Sequence, residues 1–157
     1  MEQNVNLLDV PPLNILKVRG AESISIPLYH FSIAAGATTG FASPAQDYEE
    51  ELDLGSHLVK KKASTFAFRV GKNYDSMIDV GIMPGCHLLI DKSLKIRHGR
   101  IVVAAVAGEW VVKRLHIKDG VLMLLSENRI KNYPPIVFKE EEELYIFGVV
   151  KNVVTDL

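Results

Sequence analysis

Two short segments of the chain hold the pieces of a nucleophile and its base. Tyr74-Asp75-Ser76-Met77-Ile78-Asp79 sets a serine at a turn, and Glu109-Trp110-Val111-Val112-Lys113-Arg114-Leu115 sets a lysine in an apolar strand. A serine hydroxyl attacks a carbonyl poorly until a base takes its proton, and a lysine is such a base only while neutral. Burial lowers a lysine's pKa because it disfavours the charged form. In a strand, Lys113 shares a face with Val111 and Leu115, whereas Trp110, Val112 and Arg114 point the other way. These are the parts of a serine-lysine hydrolase. Upstream, Ile33-Ala34-Ala35-Gly36 offers small residues in an extended setting, a segment that such a site could cut within its own chain.

Each residue also has an ordinary reading. Lys113 fits a solvated lysine at a sheet edge, and Asp75 or Ser76 fits the cap of a short helical turn beginning Met77-Ile78. Cap and nucleophile are compatible, because a serine at the start of a turn lies near backbone N–H donors able to stabilise an oxyanion. The residues by themselves leave these alternatives open.

Other chemistries find less support. The five histidines, His30, His57, His87, His98 and His116, sit in no ligand or triad pattern. No phosphate-binding glycine pattern occurs. Lys60-Lys61-Lys62 and the basic stretch 92–100 lack interleaved aromatics and read as solvated loops. The single cysteine, Cys86, excludes an internal disulfide and a thiolate metal cluster, which fits a reducing cytoplasm. Neither a metal nor another cofactor is expected.

The elements that must position Ser76 and Lys113 are strands. At 157 residues the chain suits one domain plus an arm, and 48% hydrophobic with 24% charged residues marks a globular protein. A net charge of −1 does not select a partner. The start of the chain lacks a basic and then apolar signal, and the longest apolar run, 101–108, falls short of the about 20 residues of a spanning helix. No membrane association is expected. Residues 1–22 show no helical or strand period and read as an arm. A strand is predicted over 24–35, followed by a flexible Gly36-Ala37-Thr38-Thr39-Gly40 connector, and then a short acidic helix over 47–54 ending at Gly55. Strand signals recur at 65–70, 86–90, 100–107, 109–117, 121–126 and 144–154, with turn residues between them, among them Asn132-Tyr133-Pro134-Pro135. The acidic run 140–143 reads as a solvated loop. The fold class is mostly β, with curved, barrel-like sheets.

Over roughly residues 25–155 the sequence resembles the LexA/UmuD family of self-cleaving serine-lysine proteins. The matching stretches are Ile26-Pro27-Leu28-Tyr29, Gly40-Phe41-Ala42-Ser43-Pro44-Ala45-Gln46-Asp47-Tyr48, Asp75-Ser76-Met77-Ile78-Asp79, the run 99–106, Gly108 through Leu115, and Phe147-Gly148-Val149-Val150. The Phe-x-Ser-Pro-Ala-x-Asp-Tyr stretch is similar to the UmuD branch in particular. The chain departs from the family pattern at Tyr74-Asp75, Gly85-Cys86 and Gly99-Arg100, where the family carries Gly-Asp pairs.

The resemblance implies a LexA/UmuD-type peptidase fold over 41–157, preceded by an extended arm with the cleavage region over 1–40. It implies Ser76 as nucleophile and Lys113 as general base. The bond cut is Ala35-Gly36 or Thr39-Gly40, and Ala35-Gly36 is favoured because a narrow pocket that takes alanine accepts β-branched threonine less readily. The family's repressors carry a helix-turn-helix domain for which the arm has no room, so sequence-specific DNA binding is not expected. What the resemblance implies instead is a cytoplasmic homodimer of the SOS response. It is cut when it meets a RecA–single-stranded DNA filament, and it then serves the UmuC-like catalytic subunit of an error-prone translesion DNA polymerase. An alternative is a non-enzymatic interaction module that keeps the peptidase fold. A stand-alone signal peptidase shares the chemistry but normally needs a membrane anchor.

Overall fold

A computed structural model describes residues 16–17, 25–29, 48–139 and 144–157. The chain divides into two compact units, one of residues 19–60 and one of residues 1–18 with 61–157. The expected boundary at 40/41, both candidate cleavage bonds, the connector 36–40 and the acidic run 140–143 lie outside the described residues.

In chain order the strands are β1 (Leu16–Lys17), β2 (Ser25–Tyr29) and β3 (Tyr48–Asp53), followed by helix α1 (Leu54–Leu58). The two-residue β1 falls where the sequence shows no strand period. In the smaller unit β2 and β3 pair antiparallel from Ser25↔Asp53 to Tyr29↔Tyr48. Of the acidic helix predicted over 47–54, residues 48–53 are therefore a strand, and the helix begins only at Leu54 and contains Gly55. An isolated helix of that length is marginal in water, whereas β2 supplies a ladder of backbone hydrogen bonds. Asp53 closes the strand and caps the helix: its carboxylate accepts from the Ser56 N–H at 3.3 Å and from the Ser56 hydroxyl at 2.6 Å.

The larger unit adds β4 (Thr65–Arg69), β5 (His87–Asp91), β6 (Ile101–Val106), β7 (Glu109–Lys118), β8 (Val121–Leu125), β9 (Ile136–Phe138) and β10 (Tyr145–Val154). With β1 they form an eight-stranded antiparallel sheet in the order β1-β4-β5-β10-β6-β7-β8-β9. The mostly-β expectation holds, as an open strand order among the described residues rather than a closed barrel. All six strands expected after residue 64 have bounds within a residue of those observed. The extra strand, β9, begins directly after Pro134-Pro135 and was hidden behind that turn signal.

Both faces of the sheet are covered, which is why 102–104 is buried without alternation. One face packs Val70, Met77, Ile82, Leu88, Val103 and Phe147, and the other packs Val102, Ala104, Leu115, Leu122, Leu124 and Ile146. Phe147 centres the first cluster, edge-on to Phe66 and Phe68 with centroids 5.2 Å away and to Trp110 at 5.8 Å. The internal strand β10 is paired on both sides, by β5 and by β6, and exposes Val153 and Val154 only at its end. Its register shifts between Ile146 and Gly148, where a side chain on Gly148 would meet the Ile90 Cγ2 at 2.7 Å.

Two hairpins set the register of the strand that carries Lys113. Ala107 and Gly108 turn β6 into β7, and Asp119 and Gly120 turn β7 into β8, all four with positive φ, as tight two-residue hairpin turns require. Lys118 then pairs with Val121 and Arg114 with Leu125, so the position beyond β8 that lies opposite Lys113 is Ser126.

Candidate active site

Ser76 lies in the loop between β4 and β5, which is pinned at both ends. The Val70 N–H donates to the Cys86 carbonyl and the Gly85 N–H to the Val70 carbonyl, each at 2.9 Å. Met77 and Ile82, each 1% exposed, anchor the loop in the core on either side of a single 3-10 turn, Ile78–Val80. The cap expected from Asp75 or Ser76 is absent: Met77 precedes the turn and makes no side-chain capping bond. Both residues are engaged elsewhere.

The segment that leaves β8 holds this loop. The Glu127 N–H donates to the Ser76 carbonyl at 2.8 Å, and the Asp79 N–H donates to the Glu127 carbonyl at 2.9 Å. The Asn128 side-chain amide donates to the Asp75 carbonyl at 2.8 Å, and the Arg129 N–H donates to the Asp79 carboxylate at 2.8 Å. The Asp75 carboxylate takes Lys131 at 2.5 Å and the Tyr133 hydroxyl, and the bond from Lys131 does most to hold it below the usual carboxylate range. A conformationally free loop is thereby tied, residue by residue, to the end of a strand.

Lys113 reaches the same place from β7. Its Nζ donates to the Ser76 hydroxyl at 2.6 Å and to the Ser126 hydroxyl at 2.8 Å. The structure thus brings together the two residues singled out by sequence. The ordinary reading of Lys113 as a solvated edge lysine fails, because β7 is paired on both sides and the side chain is half-buried. Burial pushes the ammonium below the ordinary lysine value. Among the described residues no carboxylate is in ion-pair contact with it. The Tyr133 ring faces Nζ at 5.4 Å from its centroid, a cation–π contact that works in the opposite sense, by about 1 kcal/mol.

Ser76 and Lys113 border a cleft of about 470 Å³ whose walls include Phe68, Val70, Leu88, Trp110 and Val111. Such walls suit an extended apolar segment with small side chains and keep the amine poorly hydrated. Among the described residues no histidine lines the cleft: His98 and His116 pack edge-on with centroids 4.6 Å apart, and His98 Nδ1 accepts from the Ile117 N–H at 3.0 Å. Among the described residues no three potential ligands gather as a metal-holding group, and no helix is long and apolar enough to cross a membrane.

This arrangement, a strand lysine against a loop serine in a β fold, coincides with the match of a family model, Peptidase S24-like, to residues 27–151. The chain belongs to that family. Among curated proteins it is 42% identical to protein SamA of Salmonella typhimurium over 113 residues, which are 71% of this chain and 74% of SamA. It is 36% identical to protein MucA of Escherichia coli over 141 residues, 88% of this chain and 90% of MucA. Protein ImpA of Escherichia coli is 35% identical over 136 residues, 86% and 87% of the two chains. These relatives place the chain among the UmuD-like members of the LexA/UmuD family.

The sequence did not single out Ser126, Glu127, Asn128, Lys131 and Tyr133 for the site. The Asp119-Gly120 turn was the available signal: counting back from it along both strands puts Ser126 opposite Lys113. The contacts of Glu127 through Tyr133 depend on where two loops meet, and no local pattern encodes that.

Proposed function

We propose that the chain is a UmuD-like SOS-response protein that cuts its own N-terminal arm with Ser76 and Lys113 and then acts as accessory subunit of an error-prone translesion polymerase. Family membership supports a role in the SOS response and mutagenesis and a serine-peptidase type of fold. The observation that carries self-cleavage is the 2.6 Å bond from a half-buried Lys113 to Ser76 at the edge of an apolar cleft.

In this reading the neutral Lys113 Nζ takes the Ser76 proton as Oγ attacks the carbonyl carbon of Ala35, or of Thr39 at the second candidate bond. The amides of Val80 and Gly81 are committed within the loop and that of Asp79 to the Glu127 carbonyl, so those of Ser76, Met77 and Ile78 are left to meet the developing oxyanion. Lys113 returns its proton to the leaving Gly36 (or Gly40) nitrogen as the peptide bond breaks. Water then hydrolyses the acyl ester, its proton passing through Lys113 back to Ser76 Oγ. No metal or other cofactor enters these steps.

Residues 1–40 serve as the arm and residues 41–157 as the peptidase-like domain. A homodimer in the cytoplasm, a RecA–single-stranded DNA filament that promotes the cut, and a UmuC-like polymerase subunit complete the reading, which needs no direct sequence-specific DNA contact. The alternative is an interaction module that keeps the fold and is not processed. Incubation at alkaline pH with N-terminal sequencing of the large fragment separates them. A product beginning at Gly36 is expected, one beginning at Gly40 moves the cut to Thr39-Gly40, and an intact chain at every pH favours the module.

A further inference from the structure

We propose that Ser126 is a positioning residue for Lys113, its hydroxyl taking an N–H of the amine so that the nitrogen lone pair is turned onto the Ser76 hydroxyl. The inference rests on the reading of Ser76 and Lys113 as nucleophile and base and adds a third member to that site.

A neutral lysine nitrogen carries two N–H bonds and one lone pair on a stem with free rotation about every bond. To act as a base it must aim the lone pair at Ser76, and its N–H bonds must then find acceptors elsewhere. The Ser126 oxygen lies 2.8 Å from Nζ, and Ser76 lies 2.6 Å from the same atom. With the Ser126 bond made, one N–H is fixed and rotation about the last C–N bond is restricted. Without it, the amine is free to point an N–H at Ser76, an orientation in which no proton can be taken.

The two hydroxyls are not equivalent. Ser76 borders the cleft and Ser126 does not, so Ser76 faces the space an incoming carbonyl would occupy and Ser126 holds the amine from the other side. Ser126 is also held rigidly. It follows the last paired residue of β8, opposite Lys113 in the register that the Asp119-Gly120 turn fixes, and the next residue, Glu127, is bonded to the Ser76 backbone. A one-residue slip of β8 would remove the contact.

Ser126 also affects the charge of Lys113, since an oxygen acceptor stabilises an ammonium more than an amine. Among the described residues the other ionisable groups around Lys113 are few. Tyr133 faces it from the segment after β8 and is joined to Asp75 and through it to Lys131, Glu109 lines the cleft, and the Arg114–Glu127 pair sits on the opposite face of the sheet. Ser126→Ala changes none of these charges.

The test measures self-cleavage of the full chain against pH for the wild type, Ser126→Ala and Ser126→Thr, with melting temperatures alongside. Ser126→Ala should lower the plateau rate about tenfold or more and move the rising limb to lower pH. Ser126→Thr, which keeps the hydroxyl, should restore both. A purely structural role for Ser126 would lower the melting temperature and leave the limb where it is, and that result overturns the proposal. So does cleavage lost in Ser126→Ala but kept in Ser76→Ala, which would make Ser126 the nucleophile. Should Ser126→Ala not fold, Ser126→Cys, with a weaker acceptor, replaces it with the same expected direction. If the wild type fails to cleave at any pH, the dyad reading fails on its own. NMR titration of labelled lysine side chains then decides on Ser126: a lower Lys113 pKa in the variant supports the contact and an unchanged one overturns it.

Discussion

The Glu127 N–H is bonded to the Ser76 carbonyl, and the residue before it, Ser126, touches the Lys113 amine. The candidate nucleophile and the candidate base are therefore both referenced to one short stretch at the end of β8. Their 2.6 Å separation depends on a turn, a strand register and a pair of backbone bonds rather than on the flexible side chains themselves. That dependence shapes what substitutions should do.

Ser76→Ala removes a hydroxyl while leaving the backbone bonds to Glu127 intact. Self-cleavage should fall by at least about 1000-fold, with stability changed by less than about 1 kcal/mol. Mass measurement of aged protein and a thermal melt report the two quantities. Cleavage of the variant at the wild-type rate would remove Ser76 from the mechanism.

Lys113 should give cleavage an alkaline rise whose midpoint lies below the ordinary lysine range, because burial lowers its pKa and only the neutral amine accepts a proton. The same shift has a sign in stability. Between the lowered native pKa and the ordinary value the unfolded chain binds more protons than the folded one, so stability rises with pH through that window. Lys113→Met should abolish cleavage at every pH and raise the melting temperature near neutrality. A flat rate profile, or an active variant, would count against the base assignment.

Asp75 carries the same sign at the acid end. Its bonds to Lys131 and Tyr133 hold the folded pKa below the ordinary carboxylate value. Their contribution is therefore present above the usual carboxylate range and is lost as pH falls through the folded pKa. Asp75→Asn should remove that acid-side loss and slow cleavage several-fold by loosening the loop beside Ser76, both readable from pH-dependent melts and cleavage rates. An unchanged acid limb would assign the acid sensitivity to other carboxylates.

How much of this was legible in the sequence depends on the range of each interaction. Strand bounds near Lys113 were readable because alternation and Asp119-Gly120 are local, whereas the roles of Ser76 and Lys113 came from the family resemblance, since their local features fit a cap and an edge lysine as well. The acidic stretch 47–54 was misread because helix propensity is local and the partner that makes it a strand, β2, lies across a long connection. The strand after Pro134-Pro135 was hidden because prolines mark a turn and carry no information about the segment beyond it. The contacts of Tyr133 and Lys131 with Asp75 join residues far apart in sequence and leave no trace in either segment.

Phe147 tests the packing beneath the cleft. It is 1% exposed and meets three aromatic rings, two of which, Phe68 and Trp110, line the cleft wall. Phe147→Ala should cost about 3–5 kcal/mol and slow cleavage even at temperatures where the variant remains folded, since the wall loses its support. Denaturant unfolding gives the first quantity. A folded variant with an unchanged cleavage rate would show that the wall does not depend on it.

Cleavage at either candidate bond should not by itself release the arm. Both bonds lie in the connection between β2 and β3, so the cut leaves the antiparallel pairs from Ser25↔Asp53 to Tyr29↔Tyr48 on two separate fragments. The N-terminal fragment also carries β1, which pairs with β4 through Leu16↔Ala67 and Lys17↔Phe66. What is lost is the covalent tether, which had held the strands at an effective concentration of about a millimolar or more. A two-stranded ladder is marginal alone, so the fragment should stay bound at high protein concentration and dissociate on dilution. Leu28→Pro, which deletes a backbone donor from β2, should shift that dissociation to higher concentration. Native mass spectrometry and gel filtration of the cut protein measure both effects. Fragments that separate completely at every concentration would show that β2–β3 pairing does not outlast the cut.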